Sequence, residues 1–322
     1  MKTAFFTDPS FLAHDTGNHP ENAGRLMAIT EKIKQEKLDQ RLISKSSRRA
    51  TESEISLVHP IQYQRLVENS ALSGQDFLNS PDCILSPHTY NTALNASGAA
   101  IEAVMMVSEG KTDNAFVACR PPGHHAETNS AMGFCFFNNI AIAASYLTNQ
   151  LGYNRVLIFD FDVHHGNGTQ HTFEDRNDVF FASIHQHPST CYPGTGFSEE
   201  RGRGDGIGYT LNVPVTPGAT DNDYIQSFDN ILLPAFYDYK PDFILISAGF
   251  DAHMDDPLAS VDLSVKGFDH MISGMTRLAK DLTEGRLVSI LEGGYNYQRL
   301  AECVASHLKH LLSEPEFPGQ AI

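Results

Sequence analysis

The sequence predicts an α/β fold: one domain built on a parallel sheet with helices on both faces. Three observations point there. Short apolar runs read as buried strands, amphipathic stretches of helical period separate them, and several runs end abruptly in polar or Gly-rich clusters. Strands alternating with helices build βαβ units, hence a parallel sheet. A chain of 322 residues has room for two domains, yet α/β folds often reach this length as one, and residues 1–322 are read as a single domain.

The expected strands, in chain order, are Ala115 to Ala118, Val156 to Phe161, Val179 to Ile184, Phe243 to Ser247 and Leu287 to Leu291. The expected helices are Thr89 to Val107, Asn138 to Leu151, Tyr224 to Tyr239, Val265 to Leu282 and Tyr297 to Leu312. In open α/β sheets ligands bind beyond the carboxyl ends of the strands. Four of these runs lead into HH, DFDVHHGNG, GFDAHMDDP and EGGYN. A core has no use for such residues; a site does.

Composition narrows the function. Lys plus Arg number 23 against 39 Asp plus Glu, a formal charge of −16. Such a surface repels a phosphate backbone, so no nucleic-acid partner is expected, whereas cationic substrates are favoured. The five cysteines show no CxxC spacing, which argues against a disulfide framework or a Cys-type zinc finger and fits reduced thiols in a cytoplasmic protein. The start MKTAFFTDPSF is too short and broken for a signal-peptide core, and no apolar run reaches the ~18 residues of a membrane span.

The chemistry lies in the clusters. If the second strand continues, period-two alternation puts Asp160, Asp162 and His164 on one face. Two carboxylates and an imidazole buried together are costly without a cation. A catalytic zinc site uses three protein ligands and keeps a position open, so Asp162 and His164 need a third, and Asp251 at another strand end is the natural candidate. The set suits Zn²⁺, with Fe²⁺ or Co²⁺ able to substitute. An isolated Asp-x-His is usually a surface or capping pair; the three neighbouring clusters are what favour a metal. Asp160 fits better as the partner of a histidine or of a monovalent cation.

His124 and His125 are adjacent, so only a loop can converge them, and near a metal they suit general base and acid roles. Asp160 and Asn167 are placed to hold their other ring nitrogens; an Asp partner raises basicity and a neutral Asn does not, so the pair should differ in pKa. A surface pair or a second metal site is the alternative. Gly293 and Gly294 permit close backbone approach to a ligand, and the Tyr295 hydroxyl could donate to an oxyanion, although tyrosines after such turns are commonly core aromatics. Phe134 reads either as part of a buried aromatic run or as the wall of a narrow tunnel. Together these groups fit hydrolysis of an amide on an extended arm, and neither GxSxG nor a P-loop competes.

The combination PPGHHA, GFCFFNN, DFDVHHGNGTQ, PGTG, SAGFDAH..DPL and EGGYN resembles the zinc-dependent histone deacetylase family, most of all its class II branch and bacterial histone-deacetylase-like and acetylpolyamine amidohydrolases. The resemblance runs from His19-Pro20-Glu21 to about Tyr295. It implies the arginase-deacetylase fold, with a parallel sheet of about eight strands. It implies zinc ligands at Asp162, His164 and Asp251, and catalytic roles for His124, His125, Asp160, Asn167 and Tyr295. Asn167 is the class II choice where class I carries Asp, and Tyr295 marks active members. Phe134 and Tyr192 match tunnel walls, Gly133 offers its carbonyl to the substrate amide, and Arg25 borders an internal acetate-release cavity. Family members also bind K⁺: one site would use Asp160, Asp162, His164, Ser183 and Ile184, a second the backbone around Phe173, Val179 and Tyr209.

Relatives act on acyl-lysine proteins, acetylpolyamines or small metabolites. Leu258 stands where Glu would mark one polyamine-specific branch, which tilts the expectation to acyl-lysine, with acetylpolyamine as the alternative. Bacterial relatives are often dimers or tetramers, so the resemblance allows a homodimer or homotetramer and leaves the oligomeric state open. An arginase-like binuclear enzyme would need a further aspartate where His253 stands, and a non-catalytic binding module would be expected to lose a ligand, a histidine or the tyrosine.

Overall fold

The computed structural model describes residues 1–313. Eight strands form one sheet: β1 (Thr3–Phe6), β2 (Ile43–Lys45), β3 (Asn114–Val117), β4 (Val156–Asp160), β5 (Val179–Gln186), β6 (Thr210–Val215), β7 (Phe243–Ala248) and β8 (Leu287–Leu291). Their order is β2-β1-β3-β8-β7-β4-β5-β6, and every pairing is parallel. The helices are α1 (Gly24–Gln35), α2 (Glu52–Ile55), α3 (Ile61–Leu72), α4 (Thr89–Ser108), α5 (Asn139–Asn149), α6 (Asn167–Phe173), α7 (Asp221–Ser227), α8 (Leu233–Tyr239), α9 (Val265–Thr283) and α10 (Tyr297–Leu312). α4 packs on α5 over one face, while α1, α10 and α9 form a row over the other. This is the expected single-domain α/β architecture.

The central strands β3, β4, β5, β7 and β8 are buried at every residue. A parallel strand covered on both sides needs a continuous apolar run, and that is why these five were readable. Side-chain caps start the helices that follow the site loops: the Asn138 carboxamide oxygen accepts from Ala141 N (3.0 Å) at α5, and that of Asn296 from Arg299 N (3.2 Å) at α10.

Two expectations need correction. The helix expected over Tyr224 to Tyr239 is wound in three pieces, with a π turn over Phe228–Leu232 between α7 and α8. Pro234 lacks the N–H that a continuous α-helix requires there, and a local change of winding absorbs the loss. The second strand ends at Asp160, so Asp162 and His164 are placed by the loop beyond it rather than by strand alternation. The strand order does the rest. The carboxyl ends of β3, β8, β7 and β4 are side by side, so the four polar clusters meet in one place.

Candidate active site

Two of those loops, after β4 and β7, supply a compact O, N, O donor set. One ligand atom from each of Asp162, His164 and Asp251 lies within 4.8 Å of the others. His164 Nδ1 stands 3.1 Å from Asp162 Oδ1 and 3.1 Å from Asp251 Oδ2. Backbone donors fix the carboxylates: His164 N and Gly293 N donate to Asp162 (2.9 and 2.8 Å), and Val163 N donates to Asp251 (2.9 Å). Both aspartates are fully buried. Burial opposes charge on Asp162, but His124 and His164 outweigh it and hold this carboxyl well below its usual range. Burial and the Asp162 charge push Asp251 up. Two buried acids that resist sharing a site are what a divalent cation relieves, so the residues present fit zinc. Space is fitted too. A Cβ on Gly293 would stand 2.1 Å from Asp251 Oδ2, and one on Gly249 would stand 2.0 Å from Asp162 Oδ2.

The tandem histidines lie beside this set, with ring centroids 4.0 Å apart. His124 Nδ1 is 3.0 Å from Asp160 Oδ2, and His125 Nδ1 is 2.7 Å from Asn167 Oδ1. Their environments differ. Burial works against a charge on His124, but Asp160 and Asp162 override it and push the imidazole up to about 10. Burial and the neighbouring His124 and His164 charges hold His125 well below the ordinary value.

Tyr295 closes the far side. Arg25 lies over its ring at 5.0 Å from the centroid and donates to the Gly294 and Glu292 carbonyls. Among the described residues the Tyr295 hydroxyl has no hydrogen-bond partner, which leaves it free to donate to a ligand. Burial pushes its pKa well up, so it stays protonated. Phe134 packs edge-on against Tyr295 (5.8 Å), and Tyr192, 41% exposed, against His125 (5.1 Å). Gly133 has φ +53°, and a Cβ there would stand 2.3 Å from the His125 ring. Its carbonyl accepts from Cys135 Sγ at 3.2 Å and retains a second lone pair. Leu258, 36% exposed, sits on the loop after Asp251.

The histone deacetylase domain family matches residues 19–311. The chain belongs to the histone deacetylase family. A probable deacetylase of Archaeoglobus fulgidus is 38% identical over 92% of this chain and 82% of its own length. The chloroplastic histone deacetylase 14 of Arabidopsis thaliana is 38% identical over 96% of this chain and 76% of that protein. Human polyamine deacetylase HDAC10 is 37% identical over 92% of this chain and 45% of that protein. The crystal structure of the HDA15 HD domain superposes with a TM-score of 0.90 at 35% identity, covering 99% of this chain and 90% of that one. The sheet is that of the histone deacetylase fold, and family membership makes the protein a deacetylase, a hydrolase. Zinc dependence is general in the histone deacetylase family.

The residues expected for K⁺ fall in two places. Asp160 pairs with Ser183 across β4 and β5, with Ile184 next to it, behind the ligand loop. The other group spans the end of α6 at Phe173, the start of β5 at Val179, and Tyr209, whose carbonyl accepts from Phe181 N at 2.9 Å.

Several residues of the site were not singled out from the sequence. Glu292, fully buried, accepts from Gly123 N (2.7 Å) and His124 N (3.1 Å) and so ties the histidine loop to the end of β8. Asp256 accepts from Tyr295 N (2.6 Å), Asn296 N (3.2 Å) and Leu258 N (3.1 Å). Both lie inside quoted motifs, but their partners are remote in sequence and spacing gives no sign of them.

Proposed function

We propose that the protein is a zinc-dependent deacylase that removes acetyl groups from the side-chain amine of lysine in peptides or proteins. The observation that carries the chemistry is the buried Asp162, His164, Asp251 set beside two histidines with unlike partners. Zinc, held by those three residues, would supply Lewis acidity toward the carbonyl and toward water. Tyr295 donates its hydroxyl proton in a hydrogen bond to the carbonyl oxygen as negative charge develops there. His125 takes the proton of the attacking water on Nε2 and returns it to the leaving amine. His124, held by Asp160, contributes positive charge near the same oxygen. Phe134 and Tyr192 exclude water from the acyl-bearing arm, and the Gly133 carbonyl accepts from the substrate amide N–H. K⁺ at the two groups around Ser183 and Tyr209 would stiffen the loops behind the ligands.

Acetylpolyamine is the second reading, favoured by the polyamine-named relative and by the net charge of −16. Leu258 favours lysine, because an apolar rim residue offers nothing to a distal ammonium. Side-by-side turnover of an acetyl-lysine peptide and N-acetylputrescine separates the two. Faster peptide cleavage, blocked by a hydroxamate, is expected. Faster acetylputrescine cleavage would transfer the function to polyamines, and turnover of neither would overturn the deacylase assignment.

A further inference from the structure

An imidazole acts as a base only through a nitrogen that carries a lone pair, so the other nitrogen must hold the proton. For His125 that choice is made by Asn167, whose side chain faces Nδ1 at 2.7 Å. A carboxamide can turn either its oxygen or its NH₂ toward a neighbour, and the two orientations impose opposite tautomers on the ring. What holds the amide is therefore as consequential as the amide. Its Nδ2 faces acceptors alone: the His125 carbonyl (3.3 Å), Met132 Sδ (3.4 Å) and Glu127 Oε1 (2.5 Å). Glu127 is the nearest of these and the only one that carries charge. It is anchored in turn, because His171 Nδ1 lies 2.9 and 3.1 Å from its two carboxylate oxygens and its N–H donates to the Ser130 carbonyl (3.0 Å). Turning the amide over would set an amide oxygen against a carboxylate oxygen at hydrogen-bond distance, a contact of like partial charge.

We propose that Glu127 is a positioning residue for His125: by accepting from Asn167 Nδ2 it fixes the amide with Oδ1 toward the ring, which keeps the proton on Nδ1 and the lone pair on the nitrogen that faces the substrate. The inference rests on the deacylase reading given above for its kinetic consequence, though not for the tautomer itself. His124 needs no such lock. Its partner Asp160 is a carboxylate and has no amide to turn.

The test combines kinetics with the ¹⁵N imidazole spectrum of the metal-free protein, which distinguishes the two tautomers. Glu127→Leu removes the acceptor; it should lower kcat ~10–100-fold with KM changed less than about twofold, and should populate the Nε2–H form of His125. Glu127→Gln can still offer an amide oxygen and should stay within about threefold of the parent kcat. Asn167→Asp should be poorly active while Glu127 is present, since two carboxylates then meet, and should recover activity when combined with Glu127→Leu, because a carboxylate accepts in either orientation. A Glu127→Leu variant with parental kcat and tautomer would overturn the proposal. So would additive losses in the double variant, which would reduce Glu127 to support of the loop. If Glu127→Leu does not fold, the comparison of Asn167→Asp with Glu127→Gln/Asn167→Asp decides, with the double variant expected to be the faster. A parent that hydrolyses no acyl amine would defeat the deacylase reading and leave the spectrum to judge the tautomer lock.

Discussion

Gly293→Ala probes the ligand set without touching a ligand. The added methyl would stand 2.1 Å from Asp251 Oδ2 and 2.6 Å from Asp162 Oδ2. Ordinary contact begins near 3.4 Å, so an oxygen must retreat by about 1 Å in a close-packed interior. Both carboxylates are fully buried and are tied by backbone N–H groups, so neither moves freely. A zinc site tolerates errors of about 0.2 Å in ligand distance. Altering groups that only orient ligands already costs 10–100-fold in affinity. Displacing a ligand oxygen should cost at least about 100-fold, or ~2.7 kcal/mol. The assay is competition for zinc against a chromophoric chelator, with far-UV circular dichroism to show that the variant is folded. A folded Gly293→Ala protein that binds zinc as tightly as the parent would refute the assignment of Asp162 and Asp251 to one ion.

Tyr295→Phe should lower kcat ~100–1,000-fold with zinc content unchanged, measured by single-turnover hydrolysis and metal analysis; near-parental rates would remove the oxyanion role. Leu258→Glu should raise the ratio of acetylputrescine to acetyl-lysine turnover by about tenfold or more; an unchanged ratio would mean that this rim position does not face the distal amine. His307 is fully buried, and burial holds it down to about 3. Between that value and about 6.5 the unfolded chain binds a proton that the native state refuses, so this residue's contribution to stability rises with pH across the window and weakens as pH falls. Going from pH 7 to pH 5 should cost about 2 kcal/mol through His307 alone. Burial pushes Glu292 up to about 7 and Asp256 up to about 6, and they act in the opposite sense, so the readout is the difference in urea midpoints between the parent and His307→Phe at the two pH values, with chelator present. Equal pH dependence in both proteins would contradict it.

The sequence carried the middle of the sheet and lost its edges, for a physical reason. β3, β4, β5, β7 and β8 are buried on both faces and read as unbroken apolar runs. β2 is three residues with one exposed, and β6 has partly exposed Leu211 and Pro214, as an edge strand can; β1, four buried residues between β2 and β3, was missed although its burial matches that of β3. Pro234 lies inside the stretch expected as one helix, and the π turn before it was not anticipated. At the site, the Asp162-x-His164 pair and the tandem histidines stood out because their spacing is local. The acceptors Glu292, Asp256 and Glu127 were not, because what identifies each is a backbone or side-chain donor brought to it only by folding.

The proposed activity depends on one metal ion held by Asp162, His164 and Asp251. The most direct measurement is amine release from an acetyl-lysine peptide by chelator-stripped protein titrated with Zn²⁺. Activity absent at the start and saturating at one zinc per chain is the predicted result. Undiminished hydrolysis by the stripped protein, or saturation only at two metals per chain, would contradict it.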